Sequence, residues 1–144
     1  MNSPARFIDN NDGSITDQTT GLTWTQKDSW QSEAKWFTWD EAVEYYRHLN
    51  HIRFCGYTDW RLPTREEALS LYNPDLVNTD KYDTEIHLNP VFPAGPLPTI
   101  WINEELSGND GTILDFRNGE IRSLYKSKSG RMAIRPVRSN TKIR

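Results

Sequence analysis

One sixteen-residue segment, GYTDWRLPTREEALSL (residues 56–71), constrains the fold of this chain more than any other. Pro63 disfavours helical backbone at Leu62, so the chain is expected to be extended just before the helix. Thr64 can then cap a helix, because its hydroxyl can accept the Glu67 amide while the Glu67 carboxylate reaches back to the cap. The segment predicts a turn, a buried Trp60 and a short helix from Thr64.

A second capping pair predicts another helix. Thr38 and Glu41 repeat the same spacing, and apolar residues recur after them at helical intervals as far as Asn50. The helix of the first segment is predicted to stop at Tyr72, because the dipeptide Asn73-Pro74 cannot continue it. The charged stretch before this second helix, residues 27–35, is predicted to be a loop.

Short strands are predicted near both ends of the chain. Residues 6–25 contain two turn-forming dipeptides that end in glycine, and they predict two short strands. Asn118-Gly119 predicts a tight hairpin in which Arg117 and Glu120 face each other. The C-terminal strands are predicted at residues 99–103, 112–117, 120–125 and 132–138.

A long proline-rich segment, residues 75–98, shows no helical or strand periodicity and predicts an irregular loop. Loops of this length within a domain are usually functional or disordered. The order strands, two helices, long loop, strands indicates an α+β fold in which N- and C-terminal strands share a small antiparallel sheet. We expect a single domain over residues 1–138 and a polar tail over residues 139–144.

Composition argues against several kinds of partner. The net charge of −3 provides no strongly positive surface for phosphate backbones, so nucleic acid is not expected. No run approaches the roughly 20 apolar residues that span a bilayer, so a membrane is not expected either. With one cysteine, no intramolecular disulfide can form. The N-terminal residues lack an apolar leader, which predicts a cytoplasmic protein, or an extracellular one if a leader has been removed.

Three groups of residues could carry chemistry, and each has a simpler structural explanation. Glu44, His48 and His51 share a face of the predicted helix, but that face is polar in any case. The long loop carries oxygen ligands of the kind that calcium takes, although an acidic solvated loop is the simpler explanation. These side chains are Asp75, Asn78, Asp80, Asp83, Glu85 and Asn89. Cys55 has no activating partner fixed beside it, which favours a small buried residue over a nucleophile.

We therefore expect no enzyme activity, no catalytic residues, no metal site and no cofactor, with calcium as the alternative.

The tryptophans divide into two groups. Trp24, Trp39 and Trp60 lie within periodic or block motifs and are expected in the core. The candidates for exposed anchors are Trp30, Trp36 and Trp101, and core packing is an equal alternative for Trp101.

Five segments, in chain order, resemble a known family. They are FIDNNDGSITDQTTGLTW (7–24), TWDEAVEYYRHLN (38–50), the segment 56–71, NPVFP (89–93) and DFRNGEIRSLYKSKSGRMAIRPVR (115–138). Together they resemble the C-terminal domain family of the Legionella collagen-like protein. That family is similar to C-type-lectin-like folds, in which the termini pair and a long loop carries the ligand surface.

The resemblance implies a non-catalytic recognition domain, because the named member of the family is a bacterial surface adhesin that binds sulfated glycans. The acidic net charge of this chain disfavours binding of a sulfated ligand, because sulfate recognition requires clustered Lys and Arg. We therefore expect a module that binds a protein partner through the long-loop face, with glycan binding as the alternative. The expected ligand-binding residues are Tyr82, Phe92, Trp101, Asn103, Glu104 and Arg117.

Overall fold

The computed structural model describes residues 5–104 and 109–139, which form an α+β fold as predicted. The helices are α1 (Ser29–Glu33), α2 (Trp39–His51) and α3 (Arg65–Leu71), with a 3₁₀ turn at Phe54–Gly56. The strands are β1 (Phe7–Asp9), β2 (Ser14–Asp17), β3 (Leu22–Thr25), β4 (Asn78–Thr79), β5 (Glu85–Ile86), β6 (Thr99–Ile102), β7 (Asp110–Asp115), β8 (Glu120–Tyr125), β9 (Met132–Ala133) and β10 (Val137–Ser139). Ser139 of the predicted tail ends β10, and the rest of that tail lies outside the described residues.

Strands from both ends of the described chain meet in one sheet, as predicted. Its order is β1-β2-β3-β10, and β10 runs antiparallel to β3 with Val137 opposite Trp24. A second sheet has the order β8-β7-β6-β9, with β9 parallel to β6, and β4 pairs with β5 in a separate ribbon. The prediction of one small sheet is therefore incomplete, because most C-terminal strands build a sheet of their own.

Capping side chains start all three helices. At α3 the Thr64 hydroxyl accepts the Glu67 amide at 3.2 Å, and the Glu67 carboxylate accepts the Thr64 amide at 2.9 Å. The same reciprocal bonds start α2. The prediction of a loop at residues 27–35 is wrong, because a third capping box, between Asp28 and Gln31, starts α1 there. At five residues, α1 is too short to show apolar periodicity.

The predicted strand at residues 132–138 is divided between the two sheets. β9 belongs to the second sheet and β10 to the first, so the three residues between them carry the chain across. Ile134 bonds through its amide to the Ser29 hydroxyl at 2.9 Å, and Pro136 has no amide to donate. At the other end of the chain, residues 6–25 form three strands rather than two.

The hairpin between β7 and β8 has a different register from the predicted one. Asp115, not Arg117, lies opposite Glu120, and residues 116–119 form a four-residue turn. The Gly119 amide donates to the Asp115 carbonyl at 2.7 Å, and Gly119 has a φ of +77°. Arg117 pairs with the Asp115 carboxylate at 2.8 Å. The predicted contact between Arg117 and Glu120 is therefore wrong.

Much of the long segment 75–98 packs into the protein. It contains β4 and β5, and Ile86, Leu88 and Leu97 are buried in it. The larger core cluster joins residues of this segment to β2, β3, α3, β6 and β7, and a second cluster joins α2 to β6 and β9. Trp24, Trp39 and Trp60 are buried in the core, as predicted. Among the described residues, no helix is long and apolar enough to cross a membrane.

Candidate binding surface

Two of the six predicted ligand-binding residues are completely buried. Phe92 and Trp101 have no exposed surface, and the Trp101 indole donates to the Phe37 carbonyl at 2.9 Å. β6 lies between β7 and β9, and all four of its residues are buried, so strand alternation does not bring Trp101 to solvent. The prediction that Phe92 and Trp101 contact a ligand is therefore wrong.

Asn103 and Glu104 lie just beyond the C-terminal end of β6. Glu104 pairs through both carboxylate oxygens with the guanidinium of Arg65, with 2.8 Å between Oε2 and Nε. Asn103 donates its backbone amide to the Pro63 carbonyl, and together with Arg47 of α2 it lines a pocket of about 350 Å³. These two residues therefore belong to the end of the second sheet that faces α2 and α3.

Tyr82 and Arg117 lie at the opposite end of β6. Thr99, the first residue of β6, is opposite Asp115, whose carboxylate binds Arg117. The Thr99 hydroxyl also donates to the Arg131 carbonyl at 2.5 Å, and the Arg131 guanidinium lies 4.9 Å from the centre of the Tyr82 ring. β6 spans roughly 10 Å, which separates these residues from Asn103 and Glu104. The six predicted residues do not form one surface.

Four side chains at this end of β6 form what we call the cation-aromatic patch: Trp30, Lys81, Tyr82 and Arg131. The Lys81 ammonium lies 5.3 Å from the centre of the Trp30 ring and 6.0 Å from that of Tyr82, and Arg131 covers the Tyr82 ring. Tyr82 is 38% exposed. Neither Lys81 nor Arg131 has a carboxylate within salt-bridge distance among residues 5–104 and 109–139.

The part of the patch in the long segment is held in place by a buried carboxylate. Asp80 is 3% exposed and accepts the amides of Tyr82 and Thr84 at 2.8 and 2.9 Å. Lys81 donates its own amide to the Pro96 carbonyl at 2.8 Å. Lys81 and Tyr82 therefore occupy the tip of the β4-β5 ribbon in a conformation fixed by its own hydrogen bonds.

α1 places Trp30 beside this tip. The Asp28 carboxylate caps α1 and also accepts the Leu97 amide at 2.8 Å. Gln31 donates its side-chain amide to the carbonyls of Pro93 and Ala94. These bonds dock α1 on the end of the long segment. The spacing of Asp28 and Gln31 is the sequence signal that could have found this helix.

Two buried charged groups lie behind α1. The Arg135 guanidinium donates through Nη1 to the carbonyls of Thr25 and Gln26 and lies 4.7 Å from the centre of the Phe92 ring. Burial lowers the pKa of Arg135 to about 10, although the charge of Asp28 opposes this. Burial likewise raises the pKa of Asp28 against the positive charge of Arg135. This pair sits inside the protein, so we assign it to the fold rather than to the binding surface.

The family model of the Lcl C-terminal domain matches residues 13–138, which is most of the 144-residue chain. The chain belongs to this family. No curated protein sequence matches it. Membership in the Lcl C-terminal domain family is consistent with a bacterial single-domain binding module and specifies no ligand. The match begins within the turn between β1 and β2 and ends in β10, so it includes every residue of the cation-aromatic patch.

Three of the six candidate calcium ligands of this Lcl C-terminal domain use their side chains in hydrogen bonds within the protein. Asp80 accepts two backbone amides, and Asn78 donates to the Phe92 carbonyl at 2.8 Å. The Asn89 side-chain oxygen accepts the Val91 amide. Within the described ranges, no three His, Cys, Asp or Glu side chains are grouped to hold a metal ion.

Cys55 is the remaining candidate for chemistry. Its thiol donates to the Asp12 carbonyl at 3.1 Å. Burial, followed by the negative charge of Asp12, raises the pKa of the thiol to about 11. The thiol is therefore protonated at neutral pH, which is the state opposite to that of an activated nucleophile.

A pocket of about 370 Å³ lies between the β1-β2 turn, α1 and α2. Its polar lining includes Asp12, Lys27, Gln31 and Tyr45. Burial raises the pKa of the Tyr45 hydroxyl, so this group stays a neutral donor at physiological pH. The lining combines charges of both signs and favours no single class of ligand.

Proposed function

We propose that this Lcl C-terminal domain is a non-catalytic recognition module that binds a protein partner through the cation-aromatic patch. The observation that carries the proposal is the arrangement of two exposed cations against two aromatic rings at the fixed tip of a ribbon. Tyr, Trp and Arg are the side chains that contribute most to binding at protein interfaces. A tip held by its own hydrogen bonds also loses little conformational entropy when it binds.

We propose a C-type-lectin-like arrangement for the fold. It is supported by the pairing of β3 with β10, which joins strands from opposite ends of the described chain. It is also supported by the position of the long segment, which follows the helices and ends just before β6. In such an arrangement the long segment carries the ligand surface, which is where Lys81 and Tyr82 lie.

The proposal can be tested with the immobilised domain and extracts of the source bacterium. We propose the cytoplasm as the compartment, so the lysate is the first extract and the secreted fraction is the second. The test variant is Tyr82→Ala. The matched control is Tyr125→Ala, because Tyr125 is 60% exposed and ends β8 at the opposite end of the second sheet.

We expect one protein to be retained by the wild type and by Tyr125→Ala and to be lost with Tyr82→Ala. Retention by all three forms would show that the partner binds elsewhere. If no protein is retained by the wild type from either extract, the proposal of a protein partner fails.

Glycan binding is the second candidate, because aromatic rings can stack on sugars and cations can hold sulfate groups. This candidate predicts retention on immobilised heparin that weakens as salt is added. The Lys81→Gln variant would then elute earlier than the wild type. Elution of both forms without retention in low salt would remove this candidate.

A further inference from the structure

The chemistry of the patch also specifies its partner. We propose that the partner contacts it with an extended acidic segment, whose carboxylates bind Lys81 and Arg131 and whose apolar side chains pack on Trp30 and Tyr82. This inference rests on the proposed function, since it describes the partner of that same surface.

The distribution of ion pairs supports an anionic partner. Several other surface arginines pair with carboxylates: Arg61 with Glu67, Arg65 with Glu104, Arg117 with Asp115 and Arg138 with Asp59. Arg47 and Arg53 are exposed and have no ion pair within the described residues, but neither of them lies over an aromatic ring there. Lys81 and Arg131 both lie against the Tyr82 ring, and no carboxylate of the described chain pairs with either. Two like charges that share one ring repel each other, so incoming carboxylates would relieve this repulsion.

The position of Arg131 over the Tyr82 ring favours a carboxylate as its ligand. A guanidinium that lies over an aromatic ring uses its face for the ring and keeps its N–H groups for other partners. Those N–H groups match the two oxygens of a carboxylate. Arg131 is therefore placed to bind a carboxylate and the Tyr82 ring together.

The number of available charges favours an acidic peptide over a sulfated polysaccharide. The patch has two cations, which can pair with a peptide segment that carries a few carboxylates. A densely sulfated chain requires a larger cluster of basic residues. The net charge of −3 also repels a long polyanion. A protein of mixed charge with one acidic segment is repelled less.

Fluorescence anisotropy with defined probes tests the inference. The first probe is a labelled twelve-residue peptide that contains four Glu and two Tyr among Gly and Ser, and the second replaces every Glu with Gln. Unlabelled heparin serves as a competitor. The variants are Lys81→Gln and Arg131→Gln, with Arg47→Gln as the matched control. Arg47 is exposed and lines the pocket at the opposite end of β6.

We expect the acidic peptide to bind at low salt and the Gln peptide to bind about tenfold more weakly. Lys81→Gln and Arg131→Gln should each weaken the acidic peptide about two- to fivefold, the range of an exposed charge contact. Arg47→Gln should leave its affinity unchanged. Equal melting temperatures will show that the variants are folded.

Other outcomes overturn the inference in distinguishable ways. If Tyr82→Ala abolishes partner capture but the two peptides bind equally, the acidic segment is wrong and the proposed function stands. If heparin binds more tightly than the acidic peptide and through the same two cations, the ligand is a sulfated glycan. If neither peptide binds and no partner depends on Tyr82, both the inference and the proposed function fail.

Discussion

Asp115 shows how one buried carboxylate can organise a turn. It is 1% exposed, pairs with Arg117 at 2.8 Å and Arg122 at 3.1 Å, and its backbone carbonyl closes the turn at Gly119. Burial raises the pKa of Asp115, but the hydrogen bonds from Arg117 and Arg122 outweigh it and lower the pKa below 3.8. A carboxyl group with a lowered pKa stabilises the fold above its unfolded pKa and loses this effect as the pH falls.

We therefore predict that Asp115→Asn lowers the free energy of unfolding at pH 7 by about 1 to 2 kcal/mol, because both arginines are partly exposed and screened by water. The difference from the wild type should shrink as the pH falls below 3.8. Urea unfolding at pH 7, 5 and 3 measures this effect, and Asp75→Asn at an exposed position is the control. A difference that stayed constant with pH would contradict the assignment.

A substitution of Arg135 tests the electrostatic coupling between Arg135 and Asp28 behind α1. Replacing Arg135 with Met keeps much of its volume but removes the hydrogen bonds to the Thr25 and Gln26 carbonyls and the positive charge that acts on Asp28, which we expect to cost about 3 kcal/mol at pH 7. The pKa of Asp28 is already raised by burial, and without Arg135 it rises further. A group with a raised pKa is destabilising above its unfolded pKa, so the loss relative to wild type should decrease as the pH falls from 7 toward 4.

Urea unfolding of Arg135→Met and the wild type at pH 7, 5.5 and 4 measures this change. Lys27→Met is the matched control, because Lys27 is an exposed cation of a neighbouring segment. A loss that stayed constant or grew toward pH 4 would show that Asp28 does not respond to Arg135.

At the scale of elements, the sequence predicts the parts that local interactions determine. Both capping boxes with Thr are visible within four residues, and the strand at residues 120–125 was predicted with its observed ends. The β7-β8 turn was not predicted correctly, because Asp115 accepts the Arg117 amide through its carboxylate and the Gly119 amide through its carbonyl, and these bonds close a four-residue turn. The packing of the long segment depends on contacts such as that between Asp28 and Leu97, which lie 69 residues apart.

Gly119 provides a test of this turn. It has a φ of +77°, and a Cβ placed there would lie 2.7 Å from the ring of Tyr72. Gly119→Ala should therefore lower the free energy of unfolding by about 1 to 3 kcal/mol through backbone strain and crowding. Gly130→Ala is the matched control, because a Cβ at Gly130 meets nothing within 4 Å. Thermal and urea unfolding measure both variants, and equal losses would argue against the strained turn.

At the scale of the whole molecule, the candidate surface is assembled from three distant segments. Tyr82 was predicted as a ligand-binding residue of the long loop. Lys81 and Arg131, which supply the two positive charges of the patch, were not predicted. Trp30 was a candidate anchor without a known neighbour. No local pattern in the sequence brings residues 30, 81 and 131 together, because their proximity follows from the docking of α1 and from the bond between Thr99 and Arg131.

The link between the two sheets predicts how the domain unfolds. β9 and β10 are three residues apart yet belong to different sheets, and Ile134 between them bonds to Ser29 of α1. Loss of either sheet would pull this link away from the other, so we expect both to unfold in one transition. Urea unfolding followed by far-ultraviolet circular dichroism and by tryptophan fluorescence should give the same midpoint.

Two substitutions in different core clusters sharpen this prediction. Val137→Ala in the first sheet and Ile113→Val in the second each remove buried methyl groups and should cost about 1 to 2 kcal/mol. Each should shift the midpoints of both probes equally, because we expect the two sheets to unfold as one unit. If Val137→Ala shifted only one probe, the sheets would be separate folding units, and the patch at the end of β6 could persist after the terminal strands had separated.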